Sequence, residues 1–301
     1  MPVSAAYLLV ILIWSTTPLA IVWSSETIEP TLSLLLRMLI AVSAGVPLMY
    51  LLKVKLDLRP KAILVYLYSS LSLAVGMLFC YLAARHISSG LMSLSFGIAP
   101  IISGFFAQRI ISEAKFTRLK KLSLVISISG LAIVCSDNLG VGDTSLLGLV
   151  FILVAVFLFS LSGVLVKSVP IQLHPLSTTM GTLIISLPLF FVFWLIAGGD
   201  INYGEWQPRA IWAVIYLGVF ASLVGFLAYY FILQKLMAST VALIVMITPV
   251  ISASLGIILN DERFSSIIVI GGSLVVTGLA LFQFGHLLLG SKKLSDEGVI
   301  E

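Results

Sequence analysis

Long apolar runs separated by short polar turns fill this sequence of 301 residues from one end to the other. A membrane core about 30 Å thick requires about 20 apolar residues in a helix, whereas a spanning strand requires only about 10. The runs have the length that a helix requires. Cutting the chain at its charges, prolines and polar turns therefore predicts an all-α integral membrane protein with ten transmembrane helices. The predicted helices cover residues 4–23, 31–52, 62–84, 88–111, 119–136, 146–167, 176–197, 210–233, 237–259 and 266–289.

The composition excludes the soluble, disordered and disulfide-stapled classes. Hydrophobic residues make up 60% of the chain and charged residues only 10%, so a soluble fold would have no interior large enough for its apolar surface. Cys80 and Cys135 both lie inside apolar runs, where we interpret them as small buried hydrophobic groups. The first run has no basic residue before it and ends in Trp-Ser-Ser-Glu, so we interpret it as a retained helix rather than a signal peptide.

The charges of the short loops alternate along the chain and predict its orientation. Basic residues cluster after the second, fourth and tenth spans, whereas acidic residues follow the first, fifth, seventh and ninth. With both termini in the cytoplasm, most of the 17 Lys and Arg residues lie on the cytoplasmic side, as the positive-inside rule requires. The sequence thus predicts a multi-pass protein of the cytoplasmic (inner) membrane with a cytoplasmic tail at 291–301. Its net charge of +4 suits anionic lipid and needs no nucleic-acid partner.

Two distant parts of the sequence repeat each other. Aligning the fourth span with the ninth superimposes Pro100 on Pro249 and Glu113 on Glu262 at the same spacing. Matching Leu or Ile residues would mean little in two apolar stretches. A proline and a carboxylate are both costly in or near a membrane helix, so their coincidence indicates a true repeat.

The repeat divides the chain into residues 1–140 and 141–290, with five predicted spans in each half. Because five is an odd number, the second half must cross the membrane in the opposite sense to the first. We therefore predict two inverted five-helix repeats around a central cavity. Carriers with this arrangement open one cavity to the two sides of the membrane in turn.

These residues resemble the motif of the EamA units of the drug/metabolite transporter (DMT) superfamily. In that family a Pro in the fourth helix is followed by a Glu, and then by a Gly in the fifth helix. The matching residues are Pro100, Glu113 and Gly130 in the first half, Pro249, Glu262 and Gly278 in the second, and Trp14, Ser15, Arg37 and Lys167 at other positions. The resemblance implies a ten-helix carrier whose cavity is lined mainly by helices 1, 3, 4, 6, 8 and 9. It also implies export or exchange of small metabolites, often amino acids.

The predicted spans carry few charges, and none of them contains Asp or Glu. Coupling to an ion therefore uses the cavity rim, or transport is downhill exchange or facilitated export. Arg37 is the one full charge well inside a span. It either reaches toward the surface and backbone carbonyls, or it serves as a gate or as an anchor for a substrate carboxylate. We interpret Lys167 as a snorkelling residue at a cytoplasmic helix end, and Glu113 and Glu262 as helix-end groups that pair with neighbouring basic residues.

We expect neutral polar and aromatic side chains to line the cavity, because they suit a small amphipathic metabolite. Each has an ordinary alternative in helix packing, lipid contact or an interfacial position. The predicted cavity residues are Ser15, Tyr81, Phe96, Ser160, Ser162, Phe226, Tyr230, Met246, Thr248 and Ser252, with Met77, Phe79 and Tyr229 adding to an apolar wall. Pro100 and Pro249 each interrupt one backbone hydrogen bond, so we expect the fourth and ninth helices to bend there as the cavity switches sides.

The predicted function is secondary transport of small metabolites out of the cell by alternating access, with amino acids or related compounds as the favoured cargo. A multidrug or nucleobase carrier of the same fold and a passive channel-like facilitator are the alternatives. A membrane enzyme is not indicated, because the spans carry no recognisable catalytic motif. We expect no cofactor and no metal. The expected partners are a small-molecule substrate and the lipid bilayer, and the expected assembly is a monomer or a weak homodimer.

Overall fold

The computed structural model describes residues 2–113, 115–139, 143–235, 238–262 and 265–296. Within these ranges the chain is helical and contains no β-strand. The α-helices are α1 (Val3–Ser24), α2 (Pro30–Leu51), α3 (Pro60–Ser70), α4 (Met77–Ala83), α5 (Ser89–Phe96), α6 (Ala99–Ile110), α7 (Arg118–Leu139), α8 (Asp143–Ser168), α9 (Pro175–Ile196), α10 (Pro208–Tyr216), α11 (Gly225–Lys235), α12 (Ala238–Asn260) and α13 (Ser266–Asp296). The end of the predicted cytoplasmic tail, 297–301, lies outside the described residues.

Prolines set where several helices begin. A proline has no backbone N–H to leave unpaired in the first turn, so it suits that position. The helices α2, α3, α9 and α10 start at Pro30, Pro60, Pro175 and Pro208. At α2 the carboxylate of Glu29 also accepts a hydrogen bond from the backbone N–H of Leu32 (2.9 Å), which satisfies one of the free donors of the helix start.

Among the residues that the structure describes, seven helical segments are long and apolar enough to cross a membrane. They are Val3–Ser24, Pro30–Leu51, Pro60–Ala83, Ser89–Ile110, Leu146–Ser168, Pro175–Ile196 and Pro208–Ile232. Two shorter apolar segments, Ile247–Asn260 and Ser266–Phe282, belong to α12 and α13. The chain is thus a multi-pass, all-helical membrane protein, and the count of ten spans stays a prediction.

Large apolar side chains cover the outside of the bundle. Leu12 is 61% exposed, Trp212 69% and Ile258 72%. A soluble protein would bury such side chains, but hydrocarbon tails solvate them without cost. The bundle therefore presents the surface that a lipid bilayer requires.

The third and eighth predicted spans share an uncommon feature. Each contains a π-helical segment, Leu71–Gly76 in the first half and Leu217–Val224 in the second, with α-helix on both sides. A π-turn holds more residues than an α-turn, so it rotates the helix that follows about its own axis. Side chains beyond each segment consequently face neighbours that a regular helix would not give them.

The fourth predicted span is broken, whereas the ninth is continuous. Gly97 and Ile98 separate α5 from α6, just ahead of Pro100. The corresponding Pro249 lies inside the unbroken helix α12. The two prolines that the repeat superimposes therefore lie in different backbone conformations.

The helices of the two halves contact each other in matching pairs. Helix α1 packs against α10, α11 and α12, and its counterpart α8 packs against α3, α4 and α6. Three further pairs, α2 with α9, α5 with α12 and α7 with α13, join counterparts directly. An exchange of contacts of this kind is what an approximate twofold relation between two halves produces.

The helices α7 and α13 approach each other so closely that glycine is required where they cross. A Cβ atom at Gly130 would lie 2.6 Å from the carbonyl oxygen of Gly271. A Cβ atom at Gly278 would lie 2.8 Å from the carbonyl oxygen of Ser123. Gly130 and Gly278 are superimposed by the repeat, so the same close approach occurs twice along one pair of helices.

Polar contacts join the two halves at one end of the bundle, which we call the clamped end. Trp23 Nε1 donates a hydrogen bond to Asn260 Oδ1 (2.8 Å). The carboxylate of Glu26 pairs with the guanidinium of Arg209 at 2.6 Å. The turn after α1, the start of α10 and the end of α12 therefore meet at this end.

The opposite end, which we call the open end, carries other turns. Helix α2 begins at the clamped end and has 22 residues, so it finishes about 33 Å away. Just beyond it, the backbone N–H of Asp57 donates to Ser177 Oγ at the start of α9 (3.2 Å). Gln234 Nε2, at the end of α11, donates to the carbonyl oxygen of Leu173 (2.6 Å). The turn after α8 thus lies at the open end.

Candidate functional site

A cavity of about 490 Å³ lies between the two halves. It is lined by residues of α1, α2, α4, α5, α6 and α7 from the first half and of α8, α11, α12 and α13 from the second. Its volume falls within the range of about 300–1,000 Å³ that is typical of small-molecule sites. The cavity is therefore large enough for a metabolite and is shared by both halves.

The cavity extends to the open end and stops before the clamped end. Glu113 and Lys167, both exposed, line it at the open end. About one turn deeper in α8, a Cβ atom added at Gly163 would meet no atom within 4 Å. In α1 the lining ends at Ile21, before the contacts of the clamped end begin at Trp23. The structure therefore holds the cavity in a one-sided conformation.

Two aromatic clusters form walls of the cavity. Trp14 of α1 packs against Tyr229 of α11 with ring centroids 4.9 Å apart, and it meets Phe226 edge-on at 6.4 Å. Phe96 of α5 meets Phe159 of α8 edge-on at 5.5 Å. In the first helix of each half, Trp14-Ser15 aligns with Phe159-Ser160 at an offset four residues shorter than that of the proline and glutamate motif. Each half thus contributes an aromatic side chain from the same position. Aromatic walls favour a cargo with an apolar part.

Arg37 lies at the cavity wall and is fully buried, with 0% exposure. Its Nε donates to Ser222 Oγ (2.7 Å), and its Nη1 lies 3.9 Å from the sulfur of Met77, which is a weak acceptor. Within the described ranges of the chain no carboxylate pairs with it. A guanidinium has five N–H donors, so most of them have no acceptor in that part of the protein.

Backbone carbonyls offer acceptors in the same cavity. Pro18 and Pro100 have no N–H, so the carbonyls four residues earlier, at Trp14 and Phe96, lack their usual helical partner. Both of those residues line the cavity. A site with cationic donors and with carbonyls whose usual helical N–H partner is absent can orient a small molecule that carries both an acceptor and a donor group.

The structure brings about half of the sequence-predicted residues to the cavity. Those that line it are Phe96, Ser160, Phe226, Thr248, Pro100, Arg37, Lys167, Glu113, Met77 and Tyr229. Ser160 Oγ donates to the carbonyl oxygen of Ala99 (3.2 Å) and so ties α8 to the break between α5 and α6. The side chain of Met246 lies outside the described residues.

The other predicted residues lie outside the cavity lining. They are Ser15, Tyr81, Phe79, Ser162, Tyr230, Pro249, Ser252 and Glu262. Ser162 Oγ donates to the carbonyl oxygen of Tyr68 (2.7 Å), and Tyr230 donates to Ser69 Oγ (3.3 Å). Both contacts fasten the second half to the third predicted span, which is a packing role.

Helical phase explains these positions. Successive residues of an α-helix point about 100° apart, so Trp14 faces the cavity while Ser15 faces a neighbouring helix. In the same way Cys80 faces the cavity while Tyr81 is turned into the protein, where it is 0% exposed. In α1 and in α4 the residue predicted from the sequence, Ser15 or Tyr81, is therefore the immediate neighbour of the residue that lines the cavity.

Several lining residues were not anticipated from the sequence. They include Thr17, Met92, Ser93, Phe159, Lys120 and Phe282. Phe159 could have been found, because the repeat superimposes it on Trp14. The ammonium of Lys120 lies 5.1 Å from the ring centroid of Phe282, which brings α7 and α13 to the cavity mouth. The resemblance did not place these two helices among the main lining helices.

Apolar helices in two repeated halves, with a cavity of small-molecule size between them, are the arrangement expected of a membrane transporter. The chain belongs to the EamA-like transporter family, whose model matches residues 2–136 and again residues 146–284. The resemblance inferred from the sequence motif is thereby confirmed. The two matches correspond to the two repeated halves of the bundle, and membership indicates membrane transport of small molecules rather than catalysis.

Individual relatives agree with this assignment. An "uncharacterized transporter" of Archaeoglobus fulgidus is 25% identical over 276 residues, which are 90% of this chain and 95% of that protein. The "uncharacterized transporter YoaV" of Bacillus subtilis is 22% identical over 277 residues, covering 91% and 94%. A crystal structure with 18% sequence identity matches with a TM-score of 0.67 over 95% of this chain and 98% of that one. At that identity the match supports the fold alone.

Proposed function

We propose that this protein exports amino acids or related small metabolites by alternating access. The observation that carries this proposal is the one-sided cavity between the two halves, which extends to the open end and is closed by polar contacts at the clamped end. A carrier must expose its site to one side of the membrane at a time. A cavity open at one end is the feature that one of the two conformations of such a cycle would have.

We further propose ten spans arranged as two inverted copies, 1–140 and 141–290. The turn after α1 lies at the clamped end, where Glu26 pairs with Arg209. Its counterpart after α8 lies at the open end, where Leu173 accepts a hydrogen bond from Gln234. Counterpart turns at opposite ends of the bundle support an inverted arrangement. Inversion lets the same packing serve as the gate of either side.

The open end is proposed to face the cytoplasm of a cell whose inner membrane holds the protein. Lys120 and Lys167 line the mouth, and the basic turn at 52–61 lies at the same end of the bundle. The positive-inside rule assigns such an end to the cytoplasm. Both termini and the tail at 291–301 are then cytoplasmic, and the cavity is poised to load cargo for export.

The cargo is proposed to carry a carboxylate and an apolar part. Arg37 offers N–H donors without a carboxylate partner among the described residues, and a charge-assisted bond to a carboxylate is among the stronger interactions available. Trp14 and Phe226 would contact the apolar part. The carbonyls at Trp14 and Phe96, which face a proline instead of an N–H donor, would accept from an ammonium group. An amino acid with an apolar side chain combines these three features.

Two other functions remain in view. A multidrug or nucleobase carrier would use the aromatic walls without requiring Arg37. A passive facilitator would require an open path from end to end, and the clamped end argues against one. Saturation and stimulation of uptake by cargo on the opposite side distinguish a carrier from a channel.

The test is counterflow in proteoliposomes. The purified protein is reconstituted into liposomes preloaded with one unlabelled amino acid, and entry of the radiolabelled amino acid is followed over a panel of cargoes. We expect saturable entry of at least one amino acid with an apolar side chain, accelerated by the preload. Arg37→Gln should raise the KM for that cargo. Arg59→Gln is the matched control, because it removes an exposed arginine that pairs only with Asp57.

Different outcomes would contradict different parts of the proposal. Entry that is linear with concentration and indifferent to the preload would indicate a channel. Transport of drugs or nucleobases but of no amino acid would favour the alternative carriers. An Arg37→Gln variant with the same KM as the Arg59→Gln control would remove Arg37 from the cargo site.

A further inference from the structure

The carboxylate of Glu262 is bound to the start of α5 at the clamped end. Its Oε1 accepts hydrogen bonds from the backbone N–H of Ser89 (3.0 Å) and from the Ser89 hydroxyl (2.7 Å), and its Oε2 accepts one from the backbone N–H of Gly90 (3.2 Å). These two residues begin α5, where unpaired N–H groups and the helix dipole attract a negative charge. The turn after α12 is thereby tied to the start of α5, across the two halves.

Neighbouring residues hold this carboxylate in place. Asn260 Nδ2 donates to its Oε1 (3.3 Å), and Trp23 Nε1 donates to Asn260 Oδ1 (2.8 Å). The carboxyl group also lies against α12 at Gly256, where an added Cβ atom would come within 2.8 Å of the carboxyl carbon of Glu262. Glycine at this position leaves the space that the carboxylate occupies.

Glu113, the repeat counterpart of Glu262, has the same backbone but different surroundings. The residues before the two glutamates, Ser112 and Asp261, both have positive φ angles, 55° and 49°. The two glutamate N–H groups donate to the carbonyl oxygens of Ala107 and Gly256, each at 3.1 Å. The Glu113 side chain, however, is exposed at the cavity mouth and has no hydrogen-bond or ion-pair partner in the described part of the chain.

We propose that Glu262 and Glu113 are alternating latches that hold the two ends of the cavity closed in turn. The inference rests on the alternating access proposed above. In the conformation described here Glu262 is bound to the start of α5, and the cavity opens at the end that carries Glu113. In the opposite conformation Glu113 binds the backbone N–H groups at the start of α12, and Glu262 is released.

The start of α12 is the counterpart of the start of α5. The repeat superimposes Ala238 and Ser239 on Ser89 and Gly90, and α12 begins at Ala238. Two of the three bonds that Glu262 makes to the start of α5 go to backbone N–H groups, which do not depend on the side chain at those positions. The carboxylate of Glu113 therefore finds matching donors there.

A second difference between the halves supports two exchangeable conformations. The latched span is broken between α5 and α6, ahead of Pro100, while its counterpart α12 runs unbroken past Pro249. Both prolines remove the same backbone hydrogen bond. Two copies of one motif thus occupy two backbone states at the same time, and exchanging those states would move the opening from one end to the other.

The sequence also indicates which latch is stronger. Gly256 makes room for the Glu262 carboxylate, but its repeat counterpart is Ala107, whose methyl group occupies the corresponding space. The Glu113 latch is consequently the weaker of the two. This difference favours the conformation that is closed at the Glu262 end, which is the one described here.

The experiment measures how fast a membrane-impermeant maleimide reaches the cavity. A single cysteine is placed by Gly163→Cys, where the cavity leaves open space, in a background with Cys80→Ser and Cys135→Ser. Labelling is followed separately from each face, in inverted and in right-side-out membrane vesicles. The parent should label rapidly from one face only, which identifies the open end.

We expect changes of opposite sign from the paired residues. Glu262→Gln should slow labelling from the open face by about threefold or more, because it shifts the population away from the conformation described. Gly256→Ala should act in the same direction, since its methyl group displaces the carboxylate. Glu113→Gln should label as fast as the parent or faster. Ala107→Gly should slow labelling, because it strengthens the opposing latch.

The direction in which each variant changes the labelling rate distinguishes a latch from general damage to the fold. General damage to the fold would change Glu262→Gln and Glu113→Gln in the same direction, and that outcome would overturn the proposal. Equal labelling rates in the parent and in Glu262→Gln would overturn it as well. If Glu262→Gln does not fold, Gly256→Ala and Ala107→Gly carry the same test.

Counterflow measured on the same variants separates this inference from the proposed cargo. If Glu262→Gln and Glu113→Gln change the labelling rate in opposite directions but no amino acid is transported, the latch proposal stands and the proposed cargo is wrong. If counterflow is normal but all variants are labelled at the same rate, the proposed transport function stands and the latch proposal is wrong.

Discussion

Replacing Gly130 with alanine tests the close crossing of α7 and α13. The added Cβ would lie 2.6 Å from the carbonyl oxygen of Gly271 and 2.7 Å from the backbone nitrogen of Val275. Both neighbours are backbone atoms of a helix, so neither can turn aside as a flexible side chain would. The two helices must therefore separate, and we expect the protein to lose stability.

The size of the loss follows from the geometry. Ordinary van der Waals contact begins at 3.4 Å and the closest atom would lie at 2.6 Å, so the helices must move apart by about 0.8 Å. A gap of about 0.5–1 Å forfeits a quarter to a half of each dispersion contact along the crossing, and overpacking typically costs about 1–3 kcal/mol. Alanine also improves helix propensity by about 0.8–1 kcal/mol. Gly163→Ala is the matched control, because it gains the propensity and meets no atom within 4 Å.

The assay is thermal unfolding of the purified protein in detergent, followed by the fluorescence of its five tryptophans. The midpoint of Gly130→Ala should lie below that of Gly163→Ala by several degrees, since about 1 kcal/mol corresponds to roughly 2–4 °C in a domain of 150–250 residues. Gly278→Ala should behave like Gly130→Ala, because it occupies the equivalent place. Equal midpoints for Gly130→Ala and Gly163→Ala would refute the close-crossing argument.

Three further predictions concern the cavity. Replacing both Pro100 and Pro249 with alanine should reduce the counterflow rate per milligram of protein more than the expression level, because continuous helices resist bending; unchanged counterflow would exclude the hinges. Trp14→Ala should raise the KM for aromatic cargo by about 2- to 10-fold, since aromatic pairing contributes about 0.5–1.5 kcal/mol, whereas Trp14→Phe should retain most of the affinity. Arg37→Lys should raise the KM for carboxylate cargo by about tenfold or more, as the loss of a charged hydrogen bond costs about 1.5–3 kcal/mol; an unaffected KM would contradict the anchor.

The sequence predicted the helices well because a bilayer leaves a spanning segment few other structures. The apolar runs and the prolines at Pro30, Pro60, Pro175 and Pro208 correspond to real helix positions. The sequence did not predict the π-helical segments or the break at Gly97–Ile98. These features depend on packing between the halves. A uniformly apolar run has the same local sequence pattern whether or not such packing distorts the helix.

The site was only partly predictable for a related reason. A helix that is apolar on all sides has no hydrophobic face from which to read its rotation. The motif therefore located the cavity in α1 and α8 but could not distinguish Trp14 from Ser15, or Ser160 from Ser162. Comparing the two halves shows which face of a helix is shared between them, which a single helix cannot show. Once Trp14 is placed at the cavity, this comparison predicts that Phe159 lines it as well.

The crossing of α7 with α13 has a consequence for the motion of the whole protein. The operation that superimposes one half on the other maps this pair onto itself, with Gly130 against Gly271 exchanged for Gly278 against Ser123. A helix pair that the symmetry operation maps onto itself keeps the same contacts when the two halves exchange conformations. We therefore expect it to act as the pivot about which the halves rotate. Substitutions at this crossing should lower the amount of folded protein. They should leave unchanged the proportion of molecules whose cavity is open to each side of the membrane.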